Sequence, residues 1–132
     1  MKWQKLLGNA ALGAVSAATD MTSAEMVAIP ELRATILRAL DETAAVAAAL
    51  GYPLGVEERR AIFDKLTDTR AGGTGNSKSS MARDIALRRK TEIDFIHGAV
   101  SRLGREHGVP TPTIDTMIAI VKGLESRYLN AA

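Results

Sequence analysis

The sequence predicts an all-α domain of six to seven helices, and three observations carry this prediction. Alanine, a strong helix former, occurs 22 times in 132 residues, whereas aromatic residues, which favour strands, make up 4%. Apolar residues recur at the spacing of one helix face, and no segment alternates apolar and polar residues as a half-buried strand does. A chain of this length favours one domain, so we expect residues 1–132 to form a single helical domain.

Turn and capping residues set the predicted helix ends. Thr22 with Glu25 forms a capping box, Gly51 follows the last apolar residue of a stripe, and Thr91 with Asp94 is a further candidate cap. The predicted helices run from 3 to about 18, from 22, from 30 to 50, from 56 to 68, from 80 to about 88, from 91 to 108 and from 113 to 128.

Two segments are predicted as links. Residues 71–78 (AGGTGNSK) are too rich in glycine and short polar residues for a helix. They differ from a phosphate-binding loop because Ser77, not glycine, precedes the lysine and no strand comes before them. We therefore expect a flexible connector there, and an extended link at Pro110 and Pro112.

Charge and composition exclude several classes of partner. Seventeen basic and fifteen acidic residues give a net charge of +2, which predicts no general attraction to nucleic acid or to a membrane surface. The absence of cysteine excludes disulfides and Cys-ligated metal sites. His97 and His107 have no partner ligands at helical spacing, so no metal site is expected. The basic residues between 83 and 90 lack interleaved aromatics and are predicted to form a solvated face.

Three polar residues stand out against their surroundings. Lys5 and Asn9 are four residues apart and share one face of the first predicted helix. Asn9 lies in a largely apolar segment, and Glu92 lies in the first turn of the sixth predicted helix, near its positive end. The residue types alone favour a solvated Lys5, a packed polar Asn9 and a capping Glu92.

Ordered motifs change this interpretation. The pattern W-x-K-L-x-x-N begins at Trp3, and KSSMARD, KTEIDFIHG and GVPTP begin at Lys78, Lys90 and Gly108. Together, in this order and spacing, they resemble the C-terminal domain of the ketopantoate reductases (2-dehydropantoate 2-reductases). The resemblance extends from Trp3 to about Tyr128.

The resemblance implies a fold, a function and site residues. The fold is the helical bundle of the 6-phosphogluconate dehydrogenase C-terminal type. The family reduces 2-dehydropantoate to pantoate with NADPH, in the pathway to pantothenate and coenzyme A. Lys5 matches the family's general-acid lysine and Glu92 its active-site glutamate. Asn9 matches a substrate-contacting asparagine, and Ser80 matches a serine near the substrate carboxylate.

These residue types suit the chemistry that the resemblance implies. Hydride addition to a ketone builds negative charge on oxygen, which a lysine ammonium stabilises and protonates. A nearby carboxylate orients the lysine and accepts a hydrogen bond from a substrate hydroxyl. An amide and a hydroxyl supply neutral hydrogen bonds to a small 2-keto acid.

The sequence departs from the family pattern at three points. No G-x-G-x-x-G follows a strand, so this chain has no Rossmann domain and its cofactor-binding residues are unknown. We expect the isolated chain to be inactive unless such a domain is supplied in cis or in trans. Gly13-Ala14 replaces an Asn-Pro pair of many members, and Ser23 replaces an asparagine of some. These changes leave another 2-keto acid open as the substrate. The choice between NADPH and NADH depends on the missing cofactor domain and also stays open.

The first 18 residues have the shape of a secretory signal, with Lys2 and Lys5 before an uncharged stretch. Cleavage there would remove Lys5 and Asn9, so we expect a cytoplasmic protein. No apolar run is long enough to span a bilayer.

Met1 falls near the start of the helical domain, which favours a domain of a longer reductase or a shortened gene product. The alternatives are a stand-alone helical interaction module, whose exposed apolar face favours a homodimer, and a small secreted protein.

Overall fold

The computed structural model describes residues 3–129, and within this range the chain forms helices, turns and loops without a strand. The predicted all-α class is confirmed, and the starts of the first five helices agree with the prediction. No helix between residues 3 and 129 has the length and hydropathy needed to cross a bilayer. The helices are α1 (Trp3–Thr19), α2 (Ser23–Val27), α3 (Pro30–Ala49), α4 (Val56–Thr67), α5 (Ser80–Ala86), α6 (His97–Glu106) and α7 (Pro112–Glu125).

The first helix, α1, is the centre of the core. It packs against α3, α5 and α7, and its residues Leu7, Ala10 and Ala11 are fully buried. Alanine side chains on this face let neighbouring helices approach closely, while Leu7 is the largest fully buried side chain of α1. Replacing a buried leucine of this kind with alanine costs about 2–5 kcal/mol of stability. The neighbouring helices contribute Met26, Ile36, Val46, Val100, Ile114 and Val121 to the same core.

Local capping explains the helix ends that were predicted well. The hydroxyl of Thr22 accepts a hydrogen bond from the Glu25 amide, and the Glu25 carboxylate accepts one from the Thr22 amide at 2.9 Å. The predicted capping box is therefore present. Gly51, with φ of 89°, follows α3 in the left-handed conformation that glycine adopts without strain.

The predicted start of the sixth helix is wrong. The helix α6 begins at His97, and residues 91–96 form turns. Thr91 is buried, and both its amide and its hydroxyl donate to the carboxylate of Glu125 at 2.8 Å. A contact with α7 thus holds Thr91, and its hydroxyl also accepts a local hydrogen bond from the Ile93 amide at 3.2 Å without starting a helix. Similarly, α5 ends at Ala86, earlier than predicted, and Arg88 follows with φ of 57°.

The start of α7 also differs from the prediction. Pro112 is the first residue of this helix and not part of an extended link, a position where its missing N–H costs nothing. The Glu42 carboxylate on α3 accepts hydrogen bonds from the amides of Thr113 and Ile114, each at 3.0 Å. A carboxylate at the positive end of α7 replaces a local capping side chain.

The glycine-rich loop is bonded on both sides, contrary to the expected flexible connector. The amide of Thr74 donates to the Lys65 carbonyl at 3.1 Å, and the Gly75 amide donates to the Asp68 carbonyl at 2.8 Å. The Gly75 carbonyl accepts from the Ala24 amide at 2.8 Å. A side chain at Gly75 would overlap the backbone of α4, so the loop needs glycine there. These bonds fix the residues that lead into α5.

Candidate functional site

The outward face of α1 carries Lys5 and Asn9, one helical turn apart. Both are exposed, whereas Leu6, Leu7 and Ala10 between and beside them are buried. Neither polar side chain makes a hydrogen bond within residues 3–129. Asn9 is therefore not the packed polar residue that its apolar surroundings favoured, and its amide is available to a ligand.

The start of α5 gives two adjacent serines different roles. The hydroxyl of Ser79 caps α5 by accepting from the Ala82 amide at 3.0 Å, and it donates to the Gly13 carbonyl at 2.9 Å. The Ser79 amide donates to the Ser16 hydroxyl at 3.0 Å. Ser80 is exposed, and its hydroxyl has no hydrogen-bond partner in the described part of the chain. The cap fixes α5 against α1 and leaves Ser80 free.

A cavity of about 270 Å³ between α1 and the start of α5 brings Asn9 and Ser80 together. Gly8 and Gly13 of α1 also line it and contribute no side chain, and Leu66 packs into the space beside Gly8. A space of this size suits a small organic acid. The apolar part of the lining consists of Leu12, Leu66, Met81 and Ile96.

The other two predicted site residues lie outside this cavity. Lys5 and Glu92 are exposed, and neither lines its walls. Glu92 lies in the turns before α6 and not in the first turn of a helix, so its predicted helical position is wrong. Its carbonyl accepts from the amide of Ile96 at 2.9 Å, and Ile96 lines the cavity. Along the sequence, Glu92 comes four residues before the lining residue Ile96, and Lys5 comes four residues before the lining residue Asn9.

His97 lies beneath the cavity wall and is fully buried. Its Cε1 atom is 3.6 Å from the position that a Cβ on Gly13 would take. Neither ring nitrogen has a hydrogen-bond partner within residues 3–129. Burial lowers the pKa of His97 from 6.5 to about 4, and the backbone of Ala10, outside hydrogen-bonding geometry, offsets part of this shift. The ring is therefore neutral near pH 7.

The residues that line this cavity supply hydrogen-bonding groups suited to a small acid. No cluster of three or more histidine or acidic side chains between residues 3 and 129 is placed to hold a metal ion. A dinucleotide is held by a parallel sheet with a glycine-rich turn, and residues 3–129 contain no strand. The cavity of about 270 Å³ is also too small for a dinucleotide, so these residues do not fit the cofactor.

Comparison with known proteins agrees with the predicted resemblance. The family model described as "Ketopantoate reductase PanE/ApbA C terminal" matches residues 1–125. The chain belongs to the ketopantoate reductase family. The 2-dehydropantoate 2-reductase of Mesorhizobium japonicum is 38% identical to it over 124 residues, which is 92% of this chain and 36% of that relative.

Solved structures contain a helical domain similar to this chain. A D-mandelate dehydrogenase in complex with NADH matches with a TM-score of 0.86 and 30% identity, covering 96% of this chain and 42% of that one. A dimeric ketopantoate reductase from Staphylococcus aureus matches with a TM-score of 0.80 and 27% identity, again over 96% and 42% of the two chains. This chain thus spans less than half the length of these proteins.

Sequence reasoning gave no role to two residues at the cavity. Ser79 belongs to the KSSMARD motif, and a serine shortly before the apolar Met81 and Ala82 is a recognisable helix-capping signal. Lys78 lines the cavity beside Ser80. No local pattern predicts this, because the fold of the glycine-rich loop decides which way residue 78 faces.

Proposed function

We propose that this chain is the substrate-binding domain of an NADPH-dependent 2-dehydropantoate 2-reductase of the pantothenate and coenzyme A pathway. The observation that carries the proposal is the cavity shared by Asn9 and Ser80, whose polar groups come from different helices and have no partner in the described residues. Membership of the ketopantoate reductase family supports it. Residues 1–132 then act as a single domain of a two-domain enzyme.

Each site residue has a chemical role in this proposal. Ser80 donates a hydrogen bond to the substrate carboxylate, and Asn9 bonds the substrate from the opposite wall. Lys5 stabilises the charge on the ketone oxygen and gives it a proton, while Glu92 orients Lys5 and accepts from a substrate hydroxyl. Lys5 and Glu92 are exposed, and in this proposal they face the second domain.

The hydride donor, NADPH, must bind outside residues 3–129, because these residues do not fit a dinucleotide. A Rossmann domain in cis or in trans therefore completes the enzyme, and the isolated chain is expected to be inactive. Loss of residues 1–18 would remove α1 from the centre of the core. The proposal accordingly keeps α1 in the mature protein and places it in the cytoplasm.

A second candidate function is the reduction of another 2-keto acid. Gly13 and Ser23 both line the cavity, and neither fills it as the asparagines of other family members would. The structural similarity to a D-mandelate dehydrogenase favours the same alternative, because mandelate is a 2-hydroxy acid with a bulky apolar group.

A third candidate function is a non-catalytic interaction module that forms a homodimer. A groove of about 410 Å³ between α1, α3 and α7 is lined largely by apolar residues. An apolar groove of this kind favours association. The groove residues include Val15, Leu32, Met117 and Ile120. Sedimentation of the isolated chain decides whether it is a dimer, and a dimer that binds no 2-keto acid would favour this alternative.

The experiment that tests the proposal joins this chain to the N-terminal domain of the Mesorhizobium japonicum relative. NADPH oxidation is followed with 2-dehydropantoate and with phenylglyoxylate, the keto acid that corresponds to mandelate. We expect turnover of 2-dehydropantoate by the joined protein and none by the isolated chain. Preference for phenylglyoxylate would favour the second candidate, and a folded protein that reduces neither acid would contradict the proposal.

A further inference from the structure

Lys78 stands at the rim of the cavity that Asn9 and Ser80 share. It lines this cavity and also a neighbouring one of about 490 Å³. Its Nζ atom lies 2.9 Å from Oδ1 of Asp20, and the lysine and aspartate side chains are 47% and 74% exposed. An ion pair this exposed contributes little to stability, so the ammonium can exchange its partner at small cost.

The cavity otherwise lacks charge. Among the lining residues that the structure describes, Lys78 is the only one with a charged side chain. A 2-keto acid brings a carboxylate into this space, and Asn9 and Ser80 offer it only neutral hydrogen bonds. A hydrogen bond from an ammonium to a carboxylate is roughly twice as strong as a neutral one. The flexible four-carbon stem of lysine allows the ammonium to turn from the rim toward the cavity.

We propose that Lys78 is a specificity-determining residue that binds the substrate carboxylate, its ammonium leaving Asp20 as the acid enters. This assignment rests on the proposed function, in which the cavity takes a 2-keto acid. Asp20 is then a competitor that holds the ammonium at the rim of the free protein. Glu25, the other acidic group near Lys78, is engaged by the amide of Thr22 and competes less.

The test is an NMR titration of the 132-residue chain with 2-dehydropantoate and with its lactone, which has no carboxylate. Lys78→Met keeps the stem and removes the charge. We expect it to raise the Kd of the acid about tenfold while leaving that of the lactone unchanged. Lys78→Arg keeps a cation and is expected to keep most of the preference for the acid.

Lys122→Met is the matched control. The Nζ atom of Lys122 also lies 2.9 Å from an aspartate oxygen, Oδ1 of Asp94, and its side chain is 52% exposed. It lines neither cavity. The control variant loses the same charge and an equivalent ion pair, so we expect the Kd of both ligands to stay unchanged.

Asp20→Asn separates a binding role from a structural one. Asp20 has φ of 57°, a conformation that asparagine also tolerates, so the variant keeps the backbone. Removing the competitor is expected to lower the Kd of the acid, about threefold, whereas a merely structural ion pair predicts no gain.

The outcomes distinguish this proposal from the one on which it rests. Equal Kd values for the acid in the wild type and in Lys78→Met would overturn the role of Lys78 and leave the proposed function intact. Failure of the wild type to bind 2-dehydropantoate or phenylglyoxylate at Asn9 and Ser80 would contradict the proposed function and the Lys78 assignment with it.

Discussion

The start of α5 and the turns before α6 each place a fixed polar residue directly before a free one. The Ser79 hydroxyl makes two hydrogen bonds and its amide a third, whereas the Ser80 hydroxyl makes none with the described residues. Thr91 is buried with both of its donors bound to Glu125, whereas Glu92 is exposed. In both regions the fixed residue anchors the backbone that presents its neighbour.

The two regions differ in what holds the fixed residue. Ser79 caps its own helix, so part of its anchoring is local, and further bonds tie it to α1. Thr91 depends on a carboxylate 34 residues further along the chain, on α7. Ser80 is thus positioned mainly by the cap of α5, whereas Glu92 is positioned by the contact of Thr91 with Glu125 together with local turn bonds to the Glu92 carbonyl.

The largest expected effect is on kcat, and we expect it for Lys5→Ala, which changes an exposed residue of the candidate site. In the complete two-domain enzyme, loss of the proton donor is expected to lower kcat by roughly 100-fold to 1,000-fold. The stability of the domain is expected to stay the same, because Lys5 is exposed. Steady-state kinetics with Lys122→Ala as the charge control checks this. A kcat within about twofold of the wild type would exclude Lys5 as the general acid.

Glu125→Ala tests the anchor of the second region. It leaves the buried amide and hydroxyl of Thr91 without an acceptor, and we expect a loss of about 3 kcal/mol in the free energy of unfolding. Urea denaturation measures it, with the exposed Glu106→Ala as the control, which is expected to change stability by less than about 0.5 kcal/mol. An equally small change in Glu125→Ala would mean that Thr91 is not held as described.

Unlike Ser79 and Thr91, His97 is buried without a hydrogen-bond partner for its ring nitrogens in the described residues. Its pKa in the folded protein is about 4, below the ordinary 6.5, so the unfolded chain binds the proton first as the pH falls. His97 therefore leaves the free energy of unfolding unchanged above pH 6.5. As the pH falls from 6.5 toward 4, His97 lowers the free energy of unfolding by up to about 3 kcal/mol.

Measuring the free energy of unfolding between pH 4 and 7 checks this prediction. His97→Phe removes the titrating group and two unpaired nitrogens, so its stability is expected to vary less over this range and to match or exceed the wild type at pH 7. The same pH dependence in both proteins would assign the effect to other groups.

The smallest expected effects separate the two serines of the first region. Ser79→Ala removes the cap and is expected to cost about 1 kcal/mol of stability. Ser80→Ala is expected to leave stability within about 0.5 kcal/mol and to weaken 2-dehydropantoate binding about fivefold, as loss of one neutral hydrogen bond does. Thermal denaturation and NMR titration of both variants measure these values. Reversed effects would mean that the roles of the two serines are exchanged.

The difference between local caps and tertiary contacts also explains how much of the fold the sequence could predict. Helix starts that depend on local signals, such as the Thr22–Glu25 box, were predicted correctly. The starts of α6 and α7 were not, because Glu125 and Glu42 act from other helices. Tertiary contacts of this kind leave no pattern near the residue that they hold.

In the candidate site, too, local patterns predicted some features, while others depend on tertiary contacts. Residue types alone favoured structural roles for Lys5, Asn9 and Glu92, and only the ordered motifs indicated a shared site. The spacing of Lys5 and Asn9 predicted their common face, because both lie on one helix. The approach of Ser80 to Asn9 depends on the bonded loop of residues 71–78, which the sequence predicted to be flexible.

The central claim is that a 2-keto acid binds between Asn9 and Ser80. A crystal structure of the 132-residue chain grown with 2-dehydropantoate tests it most directly. We expect electron density for the acid in this cavity, with its oxygens within about 3 Å of the Asn9 and Ser80 side chains. An empty cavity, with the acid bound only in the groove between α1, α3 and α7, would contradict it.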